Sequence, residues 1–330
     1  MRLCTFEVTS RFGALERVGA QTPTGRIVDL NLACALTLTE LQEHPRAHEL
    51  ADVLAPPDML DLLTNGQFGR NAVDEAVAHL GSRANDPDLT GPDGERLAYG
   101  MDEIRLLAPL PRPNSIRDCL AFEEHVKNSL GGQGIPPAWY EIPIYYKGNP
   151  DTVAGPGDDV VWPSYTQLLD YELEFAAVIG RQGVNIAEEE AWGYVAGYTI
   201  FNDVSARDIQ MKEMSCMLGP AKGKDMDGGN IMGPFLVTPD EFDPRKDNVM
   251  VARVNGEEWS RGVTSAMYHD FASIISYISQ SETLHVGDVI GSGTVGTGCG
   301  LELKRFPKPG DLIELEVEGI GVLANRFVKL

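Results

Sequence analysis

The chain is 330 residues long and 43% hydrophobic, with a formal net charge of -22. That hydrophobic share builds a core and excludes general disorder, and the acidic excess repels a phosphate backbone, which excludes nucleic acid as the main partner. The five cysteines (Cys4, Cys34, Cys119, Cys216, Cys299) form no close pair, so neither a disulfide framework nor a zinc site is expected. No stretch nears the ~20 apolar residues a membrane helix needs. No basic segment leads into an apolar run at the start, and the expected compartment is a reducing cytoplasm.

Three short strands open the chain, Leu3 to Val8, Leu15 to Ala20 and Gly25 to Leu30, joined by polar turns. Two helical patterns follow. One is capped by Thr39 and runs to about Leu54; the other runs from Pro57 to about Leu80 with a break at Asn65-Gly66. Ser82 to Gly100 is polar and rich in Gly, Pro and Asp, and reads as a linker. Ile104 to Leu110 reads as a short strand. The length suits two domains, with a boundary near residue 105: a small β-containing domain over 1–104 and a larger domain over 105–330.

The larger part opens with Ser115 to Leu130, helical or loop-like. A Gly/Pro segment from Gly131 to Pro137 then has the polarity and flexibility of a lid. Phe175 to Ile179 is a buried strand. Ala187 to Trp192 looks like a short helix start, Tyr194 to Asn202 is a strand, and Asp203 to Met214 has helical spacing. Strands dominate the rest: Gly233 to Val237, Val249 to Val254 with a hairpin turn at Asn255-Gly256, Asp288 to Ile290 and Leu312 to Val317. One helix, about Ser265 to Ser279, interrupts them. The fold class expected is α+β and β-rich.

Chemistry concentrates in five places. In Leu169-Asp170-Tyr171-Glu172-Leu173-Glu174, alternate side chains share a strand face. Glu172 and Glu174 therefore point the same way, at the mouth of an apolar strand. Their like charges repel, and desolvation adds to the cost. A divalent cation held by oxygen ligands removes both costs; an exposed strand end with both carboxylates in water is the alternative. Asp203, Arg207 and Gln210 fall at i, i+4 and i+7, one face of a helix that begins where a strand ends, and an ordinary surface ion pair is the plainer reading. Asp118 and His125 share a face if their stretch is helical. His125 sits among polar residues beside the lid segment, a setting for a proton shuttle. Gly223-Lys224-Asp225 lies in a glycine-flanked loop that lets backbone approach a ligand. Gly291 to Gly298 is glycine-rich, but with no phosphate-loop pattern and no following helix it does not read as a nucleotide site.

The order of these stretches resembles the fumarylacetoacetase (fumarylacetoacetate hydrolase) family. The matching residues are Asp118 with His125, Asp170-Tyr171-Glu172-Leu173-Glu174, the run from Gly197 to Gln210, Gly223-Lys224, Gly293-Thr294 and Leu301-Glu302-Leu303, together spanning roughly 105 to 330. The resemblance implies the family's mixed β-roll/sandwich C-terminal domain with a small N-terminal β domain. It implies that Asp118, Glu172, Glu174 and Asp203 bind Mg²⁺ or Ca²⁺, with Mn²⁺ also possible for such hard oxygen ligands. His125 would be the base, oriented by Glu302, while Arg207, Gln210 and Lys224 would contact oxygens of substrate or transition state. Tyr146 and Thr294 would contact substrate. Departures accompany the match. Many smaller relatives place a Glu three residues after the lid His, where this chain has Asn128. The lysine loop reads Gly-Lys-Asp-Met-Asp. Leu120 replaces the aromatic residue usual after the lid Asp.

The implied reaction is cleavage of a carbon–carbon bond in a 1,3-diketone or 2,4-diketo acid by water that His125 and Glu302 activate. The same site suits a decarboxylase, hydratase or tautomerase of a 2-oxo acid, and a non-catalytic metal-stabilised binding protein is the rival from another class. A homodimer is implied by the resemblance alone.

Overall fold

The computed structural model describes residues 1–10 and 13–329. Twelve strands form one large sheet. Its main path runs Ala98–Tyr99, Ile27–Asp29, Gly13–Gln21, Arg2–Ser10, Asn230–Val237, Val195–Asp203, Glu174–Ile179, Asp288–Gly291, Ser115–Cys119, Tyr145–Gly148. A five-stranded sheet is built from Glu257–Val263, Val249–Val254, Leu312–Val317, Gly321–Val328 and Asp159–Val161. Side-chain alternation along Glu174–Ile179 shows how the layers stack. Ala176 and Val178 pack with Val28, Leu30, Ala33 and Val73 under the N-terminal helices. Phe175, Ala177 and Ile179 pack with Phe271, Ile313, Leu315 and Leu323 on the other face. The large sheet is thus the middle layer between the N-terminal helices and the second sheet, an α+β, β-rich architecture as expected. Among the described residues no helix is long and apolar enough to cross a membrane.

Several local expectations need correction. The first helix is Leu30–Gln42, capped by the Asp29 carboxylate on Leu32 N at 3.0 Å, and a second runs Ala47–Leu54. Pro45 separates them, since it can neither donate nor continue a helix. Thr39 is no cap; its hydroxyl bonds the Ala35 carbonyl one turn back, at 2.9 Å. The linker expected over Ser82 to Gly100 is tied down, because Ala98–Tyr99 pairs with Ile27–Asp29 and Leu97 is buried. Ile104 to Leu110 yields only the two-residue strand Arg105–Leu106, paired with Arg2–Ser10. The Asn65 break is real: helices Met59–Thr64 and Gly66–Leu80 flank it.

In the larger part, Ser115 to Leu130 is a strand, Ser115–Cys119, followed by the helix Glu123–Ser129. Charged Arg117 and Asp118 hid the strand from a pattern reading, but both are buried. Asp203 ends the strand Val195–Asp203, and the helix begins only at Arg207; Asp203 therefore does not share a helix face with Gln210. A one-turn helix, Gly300–Leu303, does follow the glycine-rich stretch. Pairing of Arg2–Ser10 with Asn230–Val237 carries the large sheet across residue 105, and we retain the division 1–104 and 105–330 as a proposal about how the chain is organised.

Candidate active site and metal centre

Residues of three strands of the large sheet, Ser115–Cys119, Tyr145–Gly148 and Glu174–Ile179, line one cleft of about 940 Å³. Asp118 lies opposite Tyr146 on one side and Gly291 on the other. Glycine is required at 291, because a Cβ there would stand 2.3 Å from Asp118 Oδ1. The Gly293 amide donates to that same oxygen at 3.2 Å. The glycine-rich stretch thus cradles a carboxylate, not a phosphate.

Glu174 opens the strand Glu174–Ile179, and Glu172 precedes it in a single bridge to Cys299. Both line the cleft, as the alternation predicts. One oxygen each from Asp118, Glu172 and Glu174 falls within 4.8 Å of the others. Asp203 joins them through Lys224, whose ammonium donates at 2.5 Å to Glu172 Oε2 and at 2.5 Å to Asp203 Oδ2. Arg207 Nη2 donates to Glu172 Oε1 at 2.8 Å, and its Nη1 donates to Gln210 Oε1 at 3.0 Å. Tyr146 donates its hydroxyl to Asp203 Oδ2 at 2.6 Å, and Thr294 donates to Glu174 Oε1 at 3.0 Å. The two residues expected to touch substrate therefore line the cleft and also hold carboxylates.

Five buried carboxylates (Asp118, Asp170, Glu172, Glu174, Asp203) face two buried cations (Arg207, Lys224), an excess of three negative charges. Their titration reflects it. Burial, then the charge of Asp203, pushes the Asp118 carboxyl well above its ordinary range. Burial, then Asp118, does the same to Glu174. Burial also works against the Glu172 carboxylate, but Lys224 and Arg207 outweigh it and hold Glu172 below its ordinary range. Asp203 shares Lys224 but lacks the arginine, and burial leaves it raised. For Lys224 burial alone would favour loss of its proton, yet Asp203 and Glu172 hold the ammonium above the usual lysine range.

Glu174 Oε2 and Asp203 Oδ1 are buried and have no hydrogen-bond partner among the described residues. Orphaned anionic oxygens beside a cluster of carboxylates fit a hard divalent cation, which binds oxygen and balances their charge. Asp118, Glu172 and Glu174 offer the shared position, and Asp203 Oδ1 is the fourth candidate.

His125 lines the same cleft and is 6% exposed. Its Nδ1 lies 3.1 Å from Glu302 Oε2, though not aligned for a hydrogen bond. Glu302 Oε1 is held by Thr297 N and by Asn128 Nδ2, both at 3.0 Å. Asn128, three residues after the histidine, thus steadies the carboxylate that faces it.

Two residues escaped the sequence reading. Asp170 is fully buried. Its Oδ2 accepts from Arg207 Nε at 2.8 Å and Leu301 N at 3.0 Å; its Oδ1 accepts from Gly300 N at 2.8 Å and Tyr171 N at 3.0 Å. It links the arginine of the site to the turn that carries Glu302. The alternation that picked out Glu172 and Glu174 includes Asp170 one step earlier, and that signal was available. Glu213 accepts from the amides of Ala221, Lys222 and Gly223 at 2.9, 2.6 and 3.0 Å, fixing the loop that presents Lys224. Gly223 makes room for the contact, since a Cβ there would come within 2.8 Å of Gln210 N. Spacing alone gives no hint of Glu213.

This chain is similar to proteins already known. The profile described as fumarylacetoacetate (FAA) hydrolase C-terminal matches residues 114–328. Oxaloacetate tautomerase YisK of Bacillus subtilis (strain 168) is 34% identical over 258 residues, covering 77% of this chain and 83% of that protein. The mitochondrial oxaloacetate tautomerase FAHD2A of Homo sapiens is 35% identical over 229 residues, covering 68% and 70%. Among solved structures, fumarylacetoacetate hydrolase from psychrophilic Exiguobacterium antarcticum superposes with a TM-score of 0.71 at 27% identity, covering 99% of this chain and 100% of that one. The 5-carboxymethyl-2-hydroxymuconate delta-isomerase from Mycobacterium smegmatis does so with a TM-score of 0.66 at 25% identity, covering 100% of both.

Proposed function

The chain belongs to the fumarylacetoacetate hydrolase family, and from that premise we propose that it is a divalent-cation-dependent enzyme that interconverts the keto and enol forms of a 2-oxo acid such as oxaloacetate. The observation that carries the reading is the pairing, in one cleft, of three carboxylates sharing a cation-sized space with a buried histidine. Relatives named as oxaloacetate tautomerases support the choice of reaction.

Mg²⁺, Ca²⁺ or Mn²⁺, held by Asp118, Glu172, Glu174 and Asp203, would chelate the carboxylate and ketone oxygens of a 2-oxo acid and lower the cost of its enolate. The chain's own groups do the rest. Lys224 and Arg207 keep Glu172 ionised and supply positive charge beside the developing oxyanion, a contribution of ~3 kcal/mol per well-aimed donor. His125 moves the proton. In the enol-to-keto direction the enol O–H gives up a proton, the C=C double bond shifts to C=O, and the neighbouring carbon gains a proton, so atoms and electrons balance. Imidazole suits that exchange because its ordinary titration spans neutral pH. Glu302, held by Asn128 and Thr297, places its carboxylate 3.1 Å from His125 Nδ1. Partial burial of the cleft excludes bulk water that would compete for the enolate.

A second reading keeps the same residues. The facing of His125 and Glu302 also suits activation of water for carbon–carbon cleavage of a 2,4-diketo acid, and a solved structure of similar fold is named as a fumarylacetoacetate hydrolase. The test supplies the full-length protein and Mg²⁺ with the enol form of oxaloacetate and follows its ultraviolet decay, then repeats the assay after chelation. A panel of 2,4-diketo acids is assayed in parallel for two fragments carrying oxygen from ¹⁸O-water. Acceleration of enol decay that chelator abolishes supports the tautomerase. Fragment formation without enol–keto exchange replaces it with the hydrolase, and inactivity on both removes these two reactions. The homodimer belongs to the same proposal and is checked by sedimentation.

A further inference from the structure

The cleft changes character from floor to mouth, and the change runs along one helix. Arg207, Gln210, Met211 and Met214 of the helix Arg207–Ser215 all line the cleft, at the i, i+3, i+4, i+7 spacing of a single face. The face begins with a guanidinium bound to Glu172 and ends in two thioethers that are 55% and 53% exposed. Met217 and Leu218 extend the stripe past the helix end, each 93% exposed and each lining the same cleft. Across from them stand Leu120 and Ile144.

The helix end and the loop after it carry this apolar mouth. Met217 sits at a φ of 63°, the left-handed turn that commonly ends a helix. The loop that follows is pinned by the Glu213 carboxylate on three successive amides, so the stripe is presented on an ordered support. Charge is scarce at the mouth. Lys147, the lysine there, has its ammonium 3.4 Å from Glu282. Among the described residues lining the cleft, Lys147, Arg207 and Lys224 each already face a carboxylate. The cleft, about 940 Å³, also lies at the upper end of the ~300–1,000 Å³ typical of drug-sized ligands, far beyond what a four-carbon diacid fills.

We propose that the stripe Met211, Met214, Met217 and Leu218 is a subsite for an apolar arm, and that the preferred substrate is a 2-oxo acid carrying an unbranched or aromatic group of four or more carbons in place of a second carboxylate. The inference rests on the enolate reading above for the head group and adds the arm. Methionine suits such a subsite because its flexible, polarizable side chain adapts to arms of differing shape, so tolerance of several lengths is part of the proposal.

The experiment is a chain-length series on the full-length, Mg²⁺-loaded protein. Calorimetric titration with 2-oxo acids from 2-oxobutanoate to 2-oxodecanoate reads affinity without requiring turnover. Each methylene that enters the stripe is expected to tighten binding about fourfold, the equivalent of ~0.8 kcal/mol per buried CH₂. Met214→Ser combined with Leu218→Ser is expected to flatten that slope within its own series, and circular dichroism confirms that the variant is folded. A flat or falling slope in the wild-type protein, with oxaloacetate bound as well as the long acids, overturns the proposal. So does a wild-type slope that the double substitution leaves intact while dissociating a dimer, which would assign the stripe to contact between copies. The enol-decay assay separates the two ideas: lost turnover with a surviving slope removes the tautomerase and keeps the subsite, and the reverse removes the subsite alone.

Discussion

Asp170→Asn tests the idea that one buried carboxylate holds both halves of the site together. Asparagine has nearly the same shape. Its oxygen can still accept from Gly300 N and Tyr171 N, the two bonds now made to Oδ1. Its amide nitrogen then replaces Oδ2 and faces two donors, Arg207 Nε and Leu301 N. Each buried donor left without an acceptor costs ~1–3 kcal/mol, and removing one partner of a buried ion pair costs ~3–5 kcal/mol. The two figures describe the same loss, so we expect ~3–5 kcal/mol in total, somewhat less where Glu172 retains the arginine. With an unfolding entropy of ~2.1 cal/mol/K per residue and 330 residues, about 0.7 kcal/mol/K, the melting temperature should fall by about 4–7 °C. Activity should fall further than stability alone explains, by ~10–100-fold as for other residues that orient site ligands. Asp170→Glu should recover the charge but not the position. Scanning calorimetry and steady-state turnover with saturating Mg²⁺ measure both. A variant that melts within a degree of wild type refutes the energetics; one that melts lower but keeps full kcat refutes the link to the site.

His125→Ala should slow turnover by ~10²–10⁴-fold, the usual worth of a proton-transfer group, and a variant that keeps most of the wild-type rate removes the proposed base. Gly291→Ala places a methyl 2.3 Å from Asp118 Oδ1 and 3.1 Å from Phe201; overpacking of ~1–3 kcal/mol should lower the melting point and weaken Mg²⁺ binding together, and unchanged Mg²⁺ affinity would show that the Asp118 position is not critical. The raised carboxyls of Asp118 and Glu174 give a pH signature. Folding holds their protons to higher pH than the unfolded chain does, so the stability they contribute is complete below the ordinary carboxylate range, ~4, and is lost as pH climbs through their raised range. The metal-free protein should melt lower as pH rises through that range, the loaded protein should lose less, and Mg²⁺ affinity should drop as pH is lowered, with protons released on binding. Equal Mg²⁺ affinity at pH 5.5 and pH 8 would contradict this.

The strands that hold the site were legible where their side chains alternate or are uniformly apolar, as at Phe175 to Ile179 and Tyr194 to Asn202. Legibility failed where charge lies inside. Ser115–Cys119 carries Arg117 and Asp118 into the interior, and a pattern reading takes such residues for surface. Arg117 donates to Ser115 and Glu282, and Asp118 accepts from Gly293; the Glu282 and Gly293 bonds come only with long-range pairing. Thr39 failed as a cap for a related reason: capping propensity is local, and the cap that operates, Asp29, is fixed by Arg17 from a neighbouring strand at 2.6 Å. The carboxylates and cations of the cleft were named from the resemblance, and the fold brings them to one place. Asp170 and Glu213 were given no role, since their partners are main-chain amides and an arginine brought in by the tertiary fold.

The first strand, Arg2–Ser10, is hydrogen-bonded to Asn230–Val237, and the terminal amine of Met1 reaches Thr238, 237 residues away. A ribosome adding ~5–20 residues each second must therefore extend the chain for many seconds before that edge is closed. Gly291, Thr294 and Glu302 emerge later still. The cleft is thus assembled only after residue 302 has been made, and a chain cut short before Gly291 lacks both Glu302 and the cradle of Asp118.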